Sequence, residues 1–264
     1  MNWPYAITIG AASLASVLAV SGTQANPRME SLIQTGKLRV GLFLPQYAKD
    51  PASGELRGVG AHVVSLEVAR VLAARLGIPI QFIGYRTPTE VVDCLKSSRC
   101  DLGIMGVDPI RAAQVSLSPA FMQFDFTHLV PAGSSIRKVA DADRPGVRIA
   151  AIRNHASTMV LVRMSKHAEF IEAATPDGAF DLLRAGRADV FASTRPTLLD
   201  YVPQLAGSRV LGDRYGVNLV ALAVPKGQDG QLVYIKEFLN EMKRSGWLKR
   251  AIDNAGLRGF EVAS

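Results

Sequence analysis

One arginine stands where α/β proteins usually bind their ligands. The apolar run Asp101–Gly106 has the pattern of a buried strand, and the turn Asp108-Pro109 and then Arg111 follow it. Open α/β sheets bind ligands at the carboxyl ends of their strands, and the planar guanidinium group of arginine matches a carboxylate. The pattern predicts that Arg111 holds the carboxylate of a small ligand. The alternative is a surface salt bridge.

A well-marked helix precedes this strand. Thr87 is suited to the N-cap, Pro88 to the first helical position, and Glu90 can complete a capping box. Val91 and Leu95 give the helix an apolar side, which we expect to pack against the sheet.

The same helix-to-strand pattern returns later in the chain at a constant spacing. Thr87-Pro88 correspond to Thr175-Pro176, and the strands before them share Phe82-Ile83 and Phe170-Ile171. The remaining matches are Asp93 with Asp181, Leu95 with Leu183, Arg99 with Arg187, and Asp101 with Asp189. Self-similarity without gaps indicates a repeated structural unit. Two copies predict two similar α/β lobes.

Strands and helices alternate along most of the chain, and their connections are short. The clearest single elements are a strand at Lys37–Phe43, a helix at His62–Leu76, and apolar strands at Phe121–Pro131 and Val217–Val224. This alternation predicts an α/β fold with a mostly parallel sheet.

The composition is that of a globular protein with one large or two small cores, and it does not favour nucleic-acid binding. The chain has 264 residues, is 48% hydrophobic and has a net charge of +7. Its Lys and Arg residues are scattered, without the basic cluster typical of nucleic-acid binding. The sequence has no nucleophile elbow, phosphate-binding glycine loop or paired metal ligands. We therefore predict no nucleic-acid partner, no catalytic residue, no metal and no cofactor.

The first 25 residues resemble an export leader. Tyr5–Val20 is apolar, and no charged side chain occurs before Arg28. Thr23-Gln24-Ala25 fits a small-x-small cleavage site, so we predict a signal peptide at residues 1–25 with cleavage after Ala25. The rival interpretation is an uncleaved anchor, but the apolar run is short for a membrane span of about 20 residues.

Cys94 and Cys100 are the two cysteines, at the end of the helix and the start of the next strand. Export to an oxidising compartment would favour a disulfide between them. Two buried thiols are the alternative, because pairing depends on geometry.

The chain resembles the exported solute-binding proteins of ABC importers, in the family best known for polar amino acids. The segments that support the resemblance are Gly36–Gly41, Pro45-Gln46-Tyr47, the helix after Gly58, Asp101–Gly106 with Arg111, Ser118–Ser134, Pro145–Ser157, Leu182–Phe191 and Leu239–Gly256. The resemblance implies a two-lobed, periplasmic-binding-protein-like fold of type II. Residues 26–122 and 216–264 would form lobe 1, and residues 123–215 lobe 2. It also implies a periplasmic monomer that passes its ligand to an ABC permease.

The resemblance also implies roles for individual residues. The arginine that binds the ligand carboxylate is Arg111, and Tyr47 corresponds to an aromatic lid. The remaining implied ligand-binding positions are Gly106, Val107, Asp108, Asn154, His155, Ala156, Ser157 and Thr194, with Arg195 as a further candidate. Rival interpretations remain for four of them: interlobe packing for Tyr47, an Asx turn for Asp108, a helix cap for His155, and a helix-flanking charge for Arg195.

Three departures from the family pattern bear on the ligand. The loop before Arg111 is about two residues shorter than usual, and Asn154-His155-Ala156 replaces a Gly-Thr-Thr anion site. The family aspartate that holds the ligand ammonium falls near Thr194. A buried ammonium group without a carboxylate is costly, so we hypothesise a ligand other than an ordinary α-amino acid, unless Asp108 takes that role. Arg195, His155 and Arg153 would favour a small dicarboxylate.

Two other functions fit the same fold. Some relatives of this fold are dehydratases, which would need a carboxylic acid such as Asp108 or Asp125 as proton donor. The other alternative is a ligand-sensing module of a signalling protein.

Overall fold

The computed structural model describes residues 35–44, 47–49, 54, 56–58, 60 and 62–264. The predicted leader at residues 1–25 lies outside the described residues, as do Pro45 and Gln46. The strands are β1 (Leu38–Phe43), β2 (Tyr47–Lys49), β3 (Leu56–Gly58), β4 (Ile80–Tyr85), β5 (Leu102–Gly106), β6 (Ser116–Leu117), β7 (Met122–Val130), β8 (Arg148–Ile152), β9 (Glu169–Ala173), β10 (Val190–Thr194), β11 (Arg209–Val210), β12 (Gly216–Val224) and β13 (Phe260–Val262). The helices are α1 (His62–Leu76), α2 (Pro88–Lys96), α3 (Pro109–Ala112), α4 (Ala156–Met164), α5 (Pro176–Arg184), α6 (Arg195–Tyr201), α7 (Asp229–Arg244) and α8 (Trp247–Asn254).

The first lobe is a sheet in the order β4-β1-β5-β12. The first three strands are parallel, and β12 runs antiparallel to β5. Apolar residues of α1, α7 and α8 form one core against this sheet, and α2 covers a second cluster that includes Val91 and Leu95. Helices therefore flank this part of the sheet, as the alternating sequence pattern predicts.

The second lobe repeats this arrangement in the order β9-β8-β10-β7. Strands β9, β8 and β10 are parallel, and β7 is antiparallel to β10. Leu161 of α4 packs in one core cluster, while Phe180 of α5 and Leu198 of α6 pack in another.

Strands β7 and β12 connect the two lobes. They pair with each other from Met122 with Val220 to Phe126 with Gly216, so one curled sheet runs through the molecule. The short strand β13 adds to the same region by pairing with Met122–Phe124 of β7. The predicted two-lobed α/β fold with mostly parallel sheets is confirmed. None of the helices in the described part of the chain has the length and apolar character needed to cross a bilayer.

The sequence repeat corresponds to matching ion pairs in the two lobes. Arg39 of β1 donates from Nη2 to Asp101 Oδ1 at 2.7 Å, and Arg148 of β8 donates from Nη2 to Asp189 Oδ1 at 2.9 Å. The backbone N–H of each arginine also donates to the same aspartate, at 2.8 and 2.9 Å. The side-chain bond from Arg148 holds the pKa of Asp189 below its ordinary value. These contacts join β1 to the turn before β5 in the first lobe, and β8 to the turn before β10 in the second.

The helix starts of the two repeats are also equivalent. Thr87 caps α2 by accepting from the backbone N–H of Glu90, whose side chain completes the capping box. Thr175 caps α5 by accepting from the backbone N–H of Gly178. Both caps satisfy N–H groups that have no partner inside the helix.

The structure contains a disulfide between Cys94 and Cys100. Both residues are fully buried in the cluster under α2, and the hydroxyl of Tyr85 donates to Cys94 Sγ. The bond closes a short loop between α2 and β5, since six positions separate the cysteines.

Removing this disulfide is expected to lower the free energy of unfolding by about 2 kcal/mol. The bond restricts the unfolded chain, and for a loop of this length the lost conformational entropy corresponds to a free energy of about that size. Urea unfolding of the Cys94→Ala/Cys100→Ala chain measures the effect. A reductant should destabilise the unmodified chain by a similar amount and leave the double variant unchanged. Equal stability of the two oxidised chains would show that the bond contributes nothing.

One histidine is enclosed in the core of the second lobe. His128 has no exposed surface, and its ring lies 5.1 Å from the ring of Tyr215. Neither ring nitrogen has a hydrogen-bond partner among the described residues. Burial lowers the pKa of His128 to about 4, and the Thr127 backbone and the charge of Asp213 offset this only in part.

This pKa predicts that acid weakens the fold. Below pH 6.5 the unfolded chain takes up a proton at His128, whereas the folded chain does so only near pH 4. The contribution of neutral His128 to the free energy of unfolding is therefore complete above pH 6.5. It falls by about 3 kcal/mol as the pH approaches 4. His128→Leu should reduce this dependence, because leucine does not titrate and has a similar volume. Denaturant unfolding at pH 7 and pH 5 tests this, and equal pH dependence in both chains would contradict it.

Candidate functional site

A cavity of about 440 Å³ lies between the two lobes. Lobe 1, lobe 2, the connecting strands and β13 all contribute to its wall. The described lining residues are Phe43, His62, Pro88, Val91, Ile104, Met105, Gly106, Arg111, Phe124, Phe126, His155, Ala156, Thr194, Asn218, Val220 and Phe260. Its volume is within the range of roughly 300–1,000 Å³ that is common for small-ligand sites.

Arg111 reaches this cavity from the short helix α3 at the end of β5. The Asp108 side chain caps α3 by accepting from the Arg111 backbone N–H at 2.9 Å, and it also accepts from Arg111 Nε at 3.0 Å. Arg111 Nη1 donates to the Gly106 carbonyl at 2.9 Å. These contacts orient the guanidinium group, and within the described residues they leave Nη2 without a protein acceptor. The site therefore offers a fixed donor group to a carboxylate.

The backbone of Gly106 and Val107, next to Arg111, shapes the site more than it offers hydrogen bonds to a ligand. The N–H of Val107 donates to the Leu219 carbonyl at 2.8 Å, so it is not free to bind a ligand. The side chain of Val107 is exposed. Gly106 lines the cavity, and a β-carbon there would lie 3.4 Å from both Arg111 Nη1 and Asn218 Oδ1. Asn218 is thus close to the guanidinium group, although β12 lies far from it in sequence.

A histidine at the start of α1 contacts a tyrosine of β2. His62 lines the cavity, and its ring lies 5.2 Å from the ring of Tyr47. Tyr47 itself is buried in the core of the first lobe and is not among the lining residues. Tyr47 therefore packs behind His62 in this structure, and its role as an aromatic lid stays a prediction. Burial lowers the pKa of His62 to about 4, so this imidazole is neutral at pH 7.

The second lobe contributes the start of α4. His155 is the N-cap residue, and its Nδ1 lies 2.7 Å from the hydroxyl oxygen of Ser157. Burial lowers the pKa of His155. His155 and Ala156 line the cavity, whereas Ser157 is buried behind them and the exposed Asn154 does not line it. His155 therefore both caps the helix and faces the cavity.

Thr194 and Arg195 are adjacent in sequence but lie in different environments. Thr194 lines the cavity and caps α6 by accepting from the Thr197 backbone N–H. Arg195 forms an ion pair with Asp125 of β7, with Nη2 and Oδ2 3.1 Å apart, and donates from Nη1 to the Leu211 carbonyl at 2.9 Å. The structure places Arg195 at the junction of the lobes and not in the cavity.

The proposed site for a second negative group does not form. Arg195 is engaged by Asp125, and Arg153 is an exposed residue paired with Glu172 at 3.4 Å. His155 is the one member of the predicted group that faces the cavity. The dicarboxylate hypothesis therefore lacks the two cations on which it was based. Among the described residues, no cluster of histidine, cysteine or acidic side chains could hold a metal ion.

Five important lining residues are absent from the sequence-based prediction. Phe124 and Phe126 of β7 face the cavity together, as alternate residues of one strand do. Phe43, Asn218 and Phe260 come from β1, β12 and β13. One sequence signal could have found Asn218, which is a polar residue inside the apolar run Val217–Val224.

Two α/β lobes joined by paired strands, with a polar and aromatic cavity between them, define a ligand-binding protein of the type II periplasmic class. The family of bacterial extracellular solute-binding proteins, family 3, matches residues 45–255. The chain belongs to this family.

Several solved structures share this fold. An ancestral cationic amino acid solute binding protein has 22% sequence identity and a TM-score of 0.67, covering 86% of this chain and 98% of that one. A putative binding component of an ABC transporter from Wolinella succinogenes, complexed with lysine, has 21% identity and a TM-score of 0.63, covering 83% and 95%. The solute receptor for L-cysteine of Neisseria gonorrhoeae has 21% identity and a TM-score of 0.59, covering 88% and 94%.

Curated relatives include the virulence sensor protein BvgS of Bordetella bronchiseptica. It is 29% identical over 173 residues, which cover 62% of this chain. The BvgS of Bordetella pertussis is 26% identical over 170 residues. The match spans 14% of the length of each of these curated relatives.

Proposed function

We propose that the chain is an exported, periplasmic solute-binding protein that captures a small carboxylate-bearing ligand between its lobes and delivers it to an ABC importer. The observation that supports this most is the placement of Arg111 in the interlobe cavity, with its guanidinium oriented by Asp108 and Gly106. Membership in the solute-binding family supports the transport role.

The proposed mechanism is closure of the lobes around the ligand. We assign residues 26–122 and 216–264 to lobe 1 and residues 123–215 to lobe 2. The ligand would contact Arg111 on lobe 1 and His155 and Thr194 on lobe 2. Strands β7 and β12 connect the lobes, so small backbone changes near their junction would absorb the movement. A permease would then recognise the closed form of the monomer.

The direct test is mass spectrometry of small molecules retained by the chain after gentle purification from the exported fraction. A thermal-shift screen with amino acids, organic acids and aromatic acids follows, since a ligand that binds the native state raises its melting temperature. We expect a carboxylate to be retained and to stabilise the chain. If every stabilising compound lacks a carboxylate, the proposal is wrong.

A sensor module is the second candidate, and the BvgS relatives favour it. Uptake of the labelled ligand by cells with and without this chain separates the two functions. Loss of uptake without the chain supports transport, whereas unchanged uptake together with an altered transcriptional response supports sensing.

A dehydratase activity is the remaining alternative, because one structure with the same fold is an ancestral cyclohexadienyl dehydratase at a TM-score of 0.59. No acidic side chain is among the described residues that line the cavity. Asp108 is paired with Arg111, and Asp125 with Arg195 and Arg214. We expect the mass of a bound organic acid to remain unchanged after incubation, and loss of water would contradict the binding role.

A further inference from the structure

Four phenylalanine rings line the cavity that Arg111 faces. Phe124 occupies the middle of this wall, with its ring centroid 5.0 Å from that of Phe260 and 6.3 Å from that of Phe126, both in edge-to-face geometry. Phe43 of β1 adds a fourth ring. Aromatic rings prefer such tilted contacts with further rings. This wall therefore suits a planar apolar group better than a polar side chain.

The charged side chains among the described residues of the cavity wall have one sign. Arg111 is the single charged residue among the described lining residues. Its partner Asp108 does not line the cavity, and its carboxylate already accepts from the backbone N–H and from Nε of Arg111. A ligand ammonium would therefore be buried beside a guanidinium group, with no carboxylate for it among the described lining residues, which is unfavourable.

The other polar lining groups are neutral at pH 7. Burial lowers the pKa values of His62 and His155, so neither provides a second positive charge for the ligand. Thr194 offers a hydroxyl group and Asn218 an amide. These groups can hydrogen-bond to a hydroxyl or carbonyl group of the ligand but cannot neutralise a second carboxylate.

We propose that the cavity selects an aromatic monocarboxylate that has no ammonium group, with its carboxylate on Arg111 and its ring against Phe124, Phe126 and Phe260. This inference rests on the proposed solute-binding function and specifies its ligand class. The two observations behind it are the lack of an acidic side chain among the described lining residues and the four phenylalanine rings of the wall.

Isothermal titration calorimetry at pH 7.5 with matched compounds tests the proposal. The probe 3-phenylpropionate differs from L-phenylalanine by the ammonium group, from hexanoate by the ring, and from 3-phenylpropionamide by the carboxylate charge. We expect 3-phenylpropionate to bind at least 10-fold more tightly than each of these compounds, and also more tightly than succinate and L-lysine.

Variants of one phenylalanine test the role of the ring wall. Phe124→Ala should weaken binding of 3-phenylpropionate about 10-fold, while Phe82→Ala on β4, outside the cavity, should leave it unchanged. Phe124→Leu replaces the alanine variant if that chain does not fold, and should also weaken binding, because it removes the ring but keeps an apolar volume.

The possible results distinguish failure of the proposed ligand class from failure of the proposed solute-binding function. If L-phenylalanine or L-lysine binds more tightly than 3-phenylpropionate and Arg111→Ala removes this binding, solute binding is supported and the proposed ligand class is wrong. If succinate binds more tightly, the monocarboxylate class is likewise wrong. If no carboxylate binds in an Arg111-dependent manner, both the ligand class and the proposed function are overturned.

Discussion

Replacing Arg111 by alanine is expected to weaken carboxylate binding at least 100-fold while the chain remains folded. The guanidinium is oriented by Asp108 and Gly106 and faces the cavity, so its loss removes charge-assisted hydrogen bonds made on binding. Truncating one partner of such a pair typically costs about 2–5 kcal/mol, and 100-fold corresponds to about 3 kcal/mol. The measurement is calorimetric titration with the best carboxylate from the thermal-shift screen.

Arg153→Ala is the matched control for this prediction. It removes the same charge from an exposed residue that is paired with Glu172 outside the cavity, so we expect less than a twofold change in affinity. Arg111→Lys should fall between the two, because lysine keeps the charge but lacks the planar fork. Equal losses in the Arg111→Ala and Arg153→Ala chains would mean that net charge alone governs binding, and the carboxylate site would have to be rejected.

Replacing Asp125 by alanine is expected to destabilise the chain by about 2–3 kcal/mol. Asp125 lies on β7 and receives hydrogen bonds from Arg195 of lobe 2 and from Arg214, which precedes β12. The side chains of Asp125 and Arg195 are only 14% and 17% exposed. Removing one member of a largely buried ion pair leaves the other charge without compensation, which costs about 3–5 kcal/mol in fully buried cases. Partial exposure of this network reduces the expected value. Urea unfolding followed by circular dichroism measures this loss of stability.

Asp181→Ala provides the control for Asp125→Ala. Asp181 pairs with Arg184 on the surface of α5, where both side chains are about 60% exposed. Exposed pairs contribute roughly 0–1 kcal/mol, so this variant should remain within about 0.5 kcal/mol of the unmodified chain. A loss at Asp125 no larger than the loss at Asp181 would show that the junction of the lobes does not depend on this carboxylate.

The Asp125 network lies beside the strands that connect the lobes. It joins β7, the start of α6 and the segment before β12, which are the parts of the chain where the lobes meet. The C-terminal segment packs against the same place, since a β-carbon on Gly259 would lie 3.1 Å from Arg195 Cγ. Three separate parts of the chain therefore converge on Arg195, which is not among the residues that line the cavity.

Local patterns in the sequence were sufficient for much of the fold. The helix His62–Leu76 was predicted with the bounds that the structure shows, and Thr87, Pro88 and Glu90 form the predicted capping box. The repeat correctly indicated two equivalent helix-to-strand units. These features depend on backbone hydrogen bonding and apolar spacing within a few residues, which a single sequence displays directly. The short strands β6, β11 and β13 were missed, because two or three residues carry no periodicity.

The surroundings of the cavity could be identified only from the tertiary structure. The sequence placed Arg111 at the end of a buried strand, and this depended only on local order. It could not show that Arg195 pairs with Asp125, or that Tyr47 packs behind His62. These contacts join residues distant in sequence, and a side chain with several possible partners takes the one that the packing brings close.

The ligand-facing wall illustrates the same division. Phe43, Phe124 and Phe260 are ordinary apolar residues in the sequence, and nothing in their local patterns distinguishes a cavity wall from a core. They meet because β13 pairs with β7 and because β7 pairs with β12, which in turn pairs with β5. The sequence alone determined two α/β lobes, their helix caps and the position of Arg111. Only the folded chain decided what surrounds that guanidinium, since long-range strand pairing sets which side chains share the space between the lobes.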